Sequence, residues 1–140
     1  MRYLLLSLAA AALLTGCATP YQTSGLTGGL QEELAIGKLH TVTFSGNGYT
    51  NAALAQQYAL YRCAEYAKSQ NKPYFVMYSS LFGAAHNWPA KMPRVGKAGN
   101  FPTATAFVLV MDETVPGARK TEEVLEEYKS TIETGKVKAS

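Results

Sequence analysis

The stretch LHTVTFSGNGYTNAALAQQYALYRCAEYA, residues 39–67, decides the fold, because its hydrophobic pattern changes from that of a strand to that of a helix. In the first part His40, Val42 and Phe44 share one face, the period-two pattern of a half-buried β-strand. The second part repeats apolar residues at helical spacing. The pattern therefore predicts a domain that contains both strands and helices.

The strand at residues 39–45 is predicted to be the second arm of a β-hairpin. A run with strand character covers residues 30–36, and Gly37 and Lys38 supply a short turn between the two arms. His40 lies at the end of the inward row, and no second histidine lies at metal-binding spacing. A partly covered strand-end histidine is therefore favoured over a metal ligand or a base.

A glycine-rich turn follows the strand and is the most distinctive internal motif. Its residues are Gly46, Asn47, Gly48, Tyr49 and Thr50. The two glycines permit positive φ angles, and the threonine is predicted to cap the next helix. Backbone amides at a helix N-terminus can bind an anion. The glycine spacing matches neither a dinucleotide fingerprint nor a phosphate loop, so a structural turn is favoured over an anion site.

A long helix is predicted for residues 51–71. Its broad apolar stripe consists of two adjacent rows, namely Leu54, Tyr58, Tyr61 and Glu65, and Ala53, Leu60, Ala64 and Ala67. Arg62 lies one helical turn before Glu65, so the two can form an ion pair, and a structural role is favoured over a binding role. Cys63 lies among small and apolar residues, which favours a buried hydrophobic side chain over a nucleophile.

The N-terminal residues have the order of features that is typical of a secretory signal. Arg2 provides a positive charge, and residues 4–14 contain only Leu, Ala and one Ser. A helix of that length reaches only about 16 Å, roughly half of the hydrocarbon thickness of a bilayer. The segment is therefore predicted to direct export rather than to span a membrane.

The signal is followed directly by a motif that resembles the bacterial lipobox. The motif consists of Leu14, Thr15, Gly16 and Cys17. The resemblance implies that the thiol of Cys17 receives diacylglycerol, that residues 1–16 are removed, and that the new amino group is acylated. Ala18 takes the place of the aspartate that often retains lipoproteins at the inner membrane, which implies the periplasmic face of the outer membrane. The alternative is an ordinary cleaved signal with a chance cysteine.

The remaining chain is predicted to form one domain behind a tether. Residues 17–29 combine a proline, several glycines and small polar residues, so they are predicted to be a lipidated, flexible tether. Residues 30–134 suffice for a single hydrophobic core and are assigned to one domain. Residues 135–140 are expected to fray.

Together these features resemble a family of short, uncharacterised bacterial envelope lipoproteins. Its members carry a lipobox, a strand that ends in a GNGYT-like turn, and a helix with a Y-x-L-x-R-A-A-E-like pattern. The matching residues are Phe44, Gly46, Asn47, Gly48, Tyr49, Thr50, Tyr58, Leu60, Arg62, Ala64, Glu65, Tyr74, Phe75 and Val76. The resemblance implies an α+β fold and an envelope localisation, but neither an activity nor catalytic residues. Cys63 stands where alanine is usual, which argues against a family role for that thiol.

Two further strands and a second helix complete the predicted fold. Pro73 ends the long helix, and residues 74–78 and 103–111 have the composition and alternation of strands. Thr121 is predicted to cap a last helix, whose apolar face consists of Val124, Leu125, Tyr128 and Ile132. The prediction is therefore an α+β domain with a mainly antiparallel sheet of about four strands, the long helix on one face and the C-terminal helix at an edge.

A long insertion, residues 80–102, is where a specific function is most expected. No acidic residue occurs between Tyr66 and Met111. The candidate binding residues are Trp88, Lys91, Arg94 and Lys97, which are suited to anionic headgroups or to an acidic partner surface. A solvated hairpin loop is favoured over a binding site.

Composition limits the function classes. The net charge is +3 and falls by one when Arg2 leaves with the signal, which is too mild to predict nucleic-acid binding. No paired-carboxylate signature, zinc motif or nucleophile elbow is present, so no catalytic residue, metal or cofactor is predicted beyond the acyl chains on Cys17.

Three hypotheses for the function follow. The leading one is a non-enzymatic, lipid-anchored structural or interaction accessory, with an envelope protein or anionic headgroups as its partner. The alternative is an anion-binding or small-ligand-binding lipoprotein that uses the insertion. An enzyme ranks third and would bring His40, His86 or Cys63 together in a cleft.

Overall fold

The computed structural model describes residues 18–22, 28–34 and 37–138. The predicted signal and lipobox, including Cys17, lie outside the described residues. The described chain forms the strands β1 (Gly29–Leu34), β2 (His40–Ser45), β3 (Tyr74–Tyr78), β4 (Arg94–Ala98), β5 (Phe101–Met111) and β6 (Arg119–Lys120). Its helices are α1 (Ala52–Ser69), α2 (Leu81–Ala85) and α3 (Thr121–Thr134).

The strands form one antiparallel sheet with the order β1-β2-β5-β3-β6. The long strand β5 is central. β2 lies along one of its edges, while β4 and β3 follow each other along the opposite edge. β1 and β2 pair as the predicted hairpin, with Leu30 opposite Phe44 and Leu34 opposite His40.

The predicted α+β class is confirmed, but the sheet has six strands rather than about four. β4 is exposed along its whole length and therefore carries no hydrophobic alternation that would predict it. β6 has only two residues, which pair with Tyr74 and Phe75. The insertion at residues 80–102 is consequently not a bare loop, because it contains α2 and β4.

The hydrophobic core lies between one face of the sheet and α1. Val42 and Phe44 are fully buried on this face, as the alternation in β2 predicts. β3 adds Phe75 and Met77 to the same cluster. β5 contributes Ala104, Ala106 and Val108. The alanines let α1 approach the sheet closely, and Cys63 is fully buried there as predicted.

The C-terminal helix α3 begins beside the edge strand β6 and packs along α1. Lys68 Nζ lies 3.2 Å from a Glu122 carboxylate oxygen at one end of the pair. At the other end the Thr131 hydroxyl donates to Gln57 Oε1 at 3.1 Å, so the two helices are antiparallel. The predicted apolar face of α3 is confirmed by the buried or partly buried residues Val124, Leu125, Tyr128 and Ile132.

Both predicted helix caps are wrong. Asn51 caps α1, because its side-chain oxygen accepts a hydrogen bond from the Leu54 amide at 2.8 Å, and Thr50 has another role. Thr121 is the first residue of α3, and its hydroxyl donates to the Lys72 carbonyl at 2.8 Å. Asn and Thr are both favourable caps, so sequence alone does not choose between Thr50 and Asn51, whereas Lys120 occupies the cap position of α3 without a side-chain cap bond.

The end of the described chain is ordered, contrary to the expected fraying of residues 135–140. The Lys138 amide donates to Gln57 Oε1 at 2.8 Å, and Gln57 Nε2 donates to the Lys138 carbonyl at 3.1 Å. These bonds satisfy the buried side-chain amide of Gln57. Residues 139–140 lie outside the described part of the chain.

Candidate functional site

Residues 18–22, called the N-terminal segment below, pack against the fold instead of forming part of a flexible tether. Thr19 is fully buried, and Ala18 and Tyr21 pack against the hydrophobic core. The Leu30 amide donates to the Gln22 carbonyl at 2.8 Å. The composition of the predicted tether is that of a linker, but these residues find specific partners on the folded domain.

The glycine-rich turn holds the start of this segment. The Thr50 hydroxyl oxygen accepts hydrogen bonds from the Thr19 amide at 2.9 Å and the Asn47 amide at 3.2 Å. The same hydroxyl donates to Asn47 Oδ1 at 3.1 Å, so its donor and acceptors are all used. Thr50, which was predicted as a helix cap, therefore fastens the N-terminal segment to the turn.

Gly46 is needed for the close packing of this turn. A Cβ atom added at Gly46 would lie 2.6 Å from the Thr50 Cβ, a distance that side chains do not tolerate. A Cβ at Gly48 would meet only the Phe101 ring, at an ordinary 3.8 Å. The two glycines of the motif thus differ, because the first makes room for Thr50 and the second does not.

The long helix holds the other end of the N-terminal segment. The Tyr21 ring makes edge contacts with Tyr58 and Tyr61, with ring centroids 5.4 Å and 5.6 Å apart. Its hydroxyl donates to the Glu65 carboxylate, which also pairs with Arg62 Nη1 at 3.3 Å. Burial foremost, and the bond to Glu65 next, raise the pKa of Tyr21 far above its ordinary value.

The predicted ion pair between Arg62 and Glu65 is therefore confirmed, and it has a specific structural role. Thr50 of the turn and Glu65 of the helix both bind the N-terminal segment directly. Ala18, where this segment begins, is the chain neighbour of Cys17. Two neighbouring sequence motifs thus both bind the residues next to the predicted lipid-attachment site, which lie more than 25 residues earlier in the chain.

A second feature, on the insertion, is a group of exposed rings that we call the aromatic cluster: Phe82, His86 and Trp88. The ring centroids of Phe82 and His86 are 4.1 Å apart, and those of His86 and Trp88 are 5.1 Å apart. Phe82 is 62% exposed and Trp88 is 61% exposed. The rings contact one another while most of their surface faces solvent, and such a patch is typical of interaction sites.

The basic residues of the insertion are exposed, but they do not form one site. Arg94 is opposite Thr105 in the sheet, while Lys97 is opposite Pro102. Thr105 and Pro102 lie on different faces of β5, so the two cations lie on different faces of β4. Lys91 precedes the strand, and its carbonyl accepts a hydrogen bond from Arg119 at 3.2 Å.

The chemically reactive side chains lie on two sides of the sheet. His40 stacks on Tyr66 of α1 with ring centroids 3.8 Å apart, and Cys63 lies in the core on that side. His86 belongs to the aromatic cluster beyond the opposite face. In residues 18–22, 28–34 and 37–138, no group of three or more His, Cys, Asp or Glu side chains is arranged to hold a metal ion.

Two cavities flank these elements. An apolar pocket of about 450 Å³ lies under α2 and is lined by Lys38, Leu39, Tyr78, Leu81, Ala84, Ala85 and Leu109. An open groove of about 710 Å³ runs between α1 and α3, past the pair of Arg62 and Glu65. Across the ranges that the structure describes, no helix combines the length and the apolar character that crossing a membrane requires.

Sequence reasoning found Trp88 but missed Phe82 and the N-terminal segment. The spacing of Phe82 and His86, one helical turn apart and followed by Trp88, is a signal that predicts stacked rings. Tyr21 offers no such signal, because its partners lie far along the chain. Comparison of the chain with protein-family models, curated proteins and solved structures finds no match.

Proposed function

We propose that this protein is a non-enzymatic bacterial lipoprotein, anchored through acyl chains on Cys17 at the periplasmic face of the outer membrane. In this proposal it is an interaction accessory of the cell envelope that binds a partner protein through the aromatic cluster. The sequence order of charge, apolar run, small residues and cysteine supports the anchor. The likeness to short envelope lipoproteins supports the same assignment.

The fixed position of the N-terminal segment also supports the anchor. Simple release from a signal peptide does not require the burial of Thr19 or the contacts that Thr50 and Glu65 make with this segment. A lipid-anchored domain gains a defined position at the membrane from such contacts. Two or more acyl chains, at about 0.8 kcal/mol per buried methylene, are sufficient for durable anchoring.

Replacement of Cys17 by Ser tests the anchor. We expect the native protein to incorporate labelled fatty acid and to remain with the membrane fraction after carbonate extraction. The Cys17→Ser protein should incorporate none and appear in the soluble periplasmic fraction. Equal membrane retention of both proteins, without label, would overturn the proposed anchoring.

The aromatic cluster is the observation that carries the proposed interaction. Its rings project from an ordered segment, because Ser80 Oγ accepts from the Gly83 amide at 2.9 Å and Asn87 Oδ1 accepts from the Tyr78 hydroxyl at 3.0 Å. Exposed Trp and Phe are enriched at the centres of protein interfaces. A surface that is held rigid and apolar is suited to a protein partner.

A photoreactive phenylalanine analogue at position 88, which keeps an aromatic ring there, tests this surface when it is introduced in living cells. We expect a discrete crosslinked species in the envelope fraction from position 88 and none from position 129, an exposed site on α3. A Lys91, Arg94 and Lys97 charge-removal variant should give the same species, because Arg94 and Lys97 lie on different faces of β4 and the cations do not form one site. Loss of the species in that variant would instead favour the basic residues as the binding surface.

A further inference from the structure

We propose that one end of the domain rests on the phospholipid headgroups, with Tyr49 and Phe101 in the interface and Lys97 beside them. These three residues are called the anchor-proximal surface below. The inference rests on the proposed lipid anchor at Cys17 and goes beyond it, since an anchor alone does not fix which side of the domain faces the bilayer.

The connection between the proposed anchor and the fold is short. The Thr19 amide is bonded to Thr50 at 2.9 Å, and two extended residues between positions 17 and 19 span at most about 7 Å. The headgroup region of one leaflet is roughly 5–8 Å thick, half of the difference between the full and the hydrocarbon thickness of a bilayer. An acylated Cys17 in the interface therefore holds Thr50 next to the headgroups.

The surface around Thr50 carries exposed aromatic rings. Tyr49, its chain neighbour, is 65% exposed, and Phe101, which lies against Gly48, is 48% exposed. Exposed aromatic side chains are costly in water, whereas Tyr is enriched at membrane interfaces, where an apolar ring and a polar hydroxyl both find suitable surroundings. Both rings thus lie beside the point to which the lipidated segment is fastened.

This end of the molecule also carries little negative charge. Residues 46–50 and 94–103, which form it, contain no acidic residue. Lys97 is exposed and lies opposite Pro102, whose carbonyl accepts a hydrogen bond from the Gly46 amide at 2.9 Å. Glu133 lines the cleft beside residues 18–21, and the exposed Lys136 follows it. Cations near an anionic surface contribute on the order of 1 kcal/mol each.

The same geometry places the aromatic cluster away from the bilayer. The part of β5 from Phe101 to Leu109 spans roughly 26 Å at about 3.3 Å per residue. Leu109 lines the pocket under α2, the helix that carries Phe82. The short connection would thus direct one group of exposed rings to lipid and leave the other accessible to a partner.

Tryptophan fluorescence tests this orientation, because Trp88 is the single tryptophan of the chain. The full lipidated protein is reconstituted into vesicles of phosphatidylethanolamine and phosphatidylglycerol, with or without lipids brominated near the headgroup end of the acyl chains. Two variants carry Trp88→Phe together with either Tyr49→Trp or Phe101→Trp. Flotation with the vesicles reports the anchor separately.

We expect bromolipid to remove about half of the emission of a tryptophan at position 49 or 101, because interfacial rings lie within reach of the bromines. Emission from Trp88 in the parent protein should be nearly unchanged. Equal quenching at all three positions, or none at any of them in protein that floats with the vesicles, would overturn the orientation. Failure to float would instead overturn the proposed lipid anchor on which the orientation rests.

Discussion

The N-terminal segment and the aromatic cluster both carry aromatic side chains, but only the segment packs its ring against the core. Tyr21 lies in a sequence of linker composition, yet its ring and hydroxyl are both satisfied by α1. Phe82 and Trp88 lie on an ordered insertion, yet their rings are mostly exposed. Burial therefore depends on the partners that the fold provides, and composition alone indicates neither stability nor binding. Substitutions in the two regions should accordingly differ in their cost to stability.

The largest effect is expected for Gly46→Ala. The added Cβ would lie 2.6 Å from the Thr50 Cβ, so the turn must shift, and overpacking of this kind costs about 3 kcal/mol in the free energy of unfolding. Gly48→Ala is the matched control, because its Cβ would make an ordinary contact. Urea denaturation of both variants measures the difference. Similar stabilities for the two proteins would contradict the close packing of the turn.

Thr50→Val should have the next largest effect. The substitution keeps the shape of the side chain but removes the hydroxyl oxygen that accepts from the Thr19 and Asn47 amides, at a cost of about 2 kcal/mol. We also expect faster proteolysis within residues 18–22, because the segment loses its attachment. Thr114→Val, at an exposed position, is the control. Unchanged proteolysis would show that Thr50 does not hold the segment.

Tyr21→Phe should reduce stability by about 1 kcal/mol at neutral pH, because the partly buried bond to Glu65 is lost. In the native protein, burial and this bond keep Tyr21 protonated well above its ordinary pKa of 10.0. The folded state then binds more protons than the unfolded state above about pH 10, so stability falls as the pH rises there, by up to about 1.4 kcal/mol per pH unit for one proton.

The stability of the Tyr21→Phe variant, measured by urea denaturation from pH 9 to 11, should fall less steeply with pH than that of the native protein. The difference in slope should be at most the contribution of one proton. Some fall should remain, because burial also raises the pKa values of Tyr58, Tyr61 and Tyr78. An equally steep fall in the variant would argue against a proton retained on Tyr21. Tyr49→Phe, at an exposed ring, is the matched control for the neutral-pH loss.

The smallest effect on stability is expected for Trp88→Ser, within about 0.5 kcal/mol of the native protein, because the ring is mostly exposed. The same substitution should abolish crosslinking from a photoreactive group at position 82. A stability loss of several kcal/mol would assign Trp88 to the core instead. Stable protein with unchanged crosslinking would remove this ring from the proposed partner surface.

The sequence predicted the elements in which a periodic pattern coincides with burial. The alternation in β2 and the stripe of α1 are direct consequences of one buried face, so Val42, Phe44 and Tyr58 lie where expected. β4 and β6 were not predicted, because β4 is exposed throughout and β6 is too short to carry a hydrophobic pattern. Pairing with β5 or β3, which forms these strands, is a tertiary property.

The candidate site was predicted only in its parts. The glycine-rich turn and the pair of Arg62 and Glu65 were recognised as structural, but their common purpose depends on the N-terminal segment. Contacts between residues 19 and 50, and between residues 21 and 65, produce no periodic pattern in the sequence. Likewise the basic residues of the insertion are close together in the sequence, but Arg94 and Lys97 lie on different faces of β4.

The two hydrogen bonds between Gln57 and Lys138 have a consequence for fusion proteins. It brings the end of the described chain to the beginning of α1, close to Thr50 and therefore to the entry of the N-terminal segment. In the proposed orientation, a reporter inserted directly after Lys138 would lie on the lipid side of the domain and crowd it. The turn at Gly37 and Lys38 is exposed at the far end of β2, roughly 20 Å away, but Lys38 lines the pocket under α2, so a reporter inserted there would crowd the aromatic cluster instead.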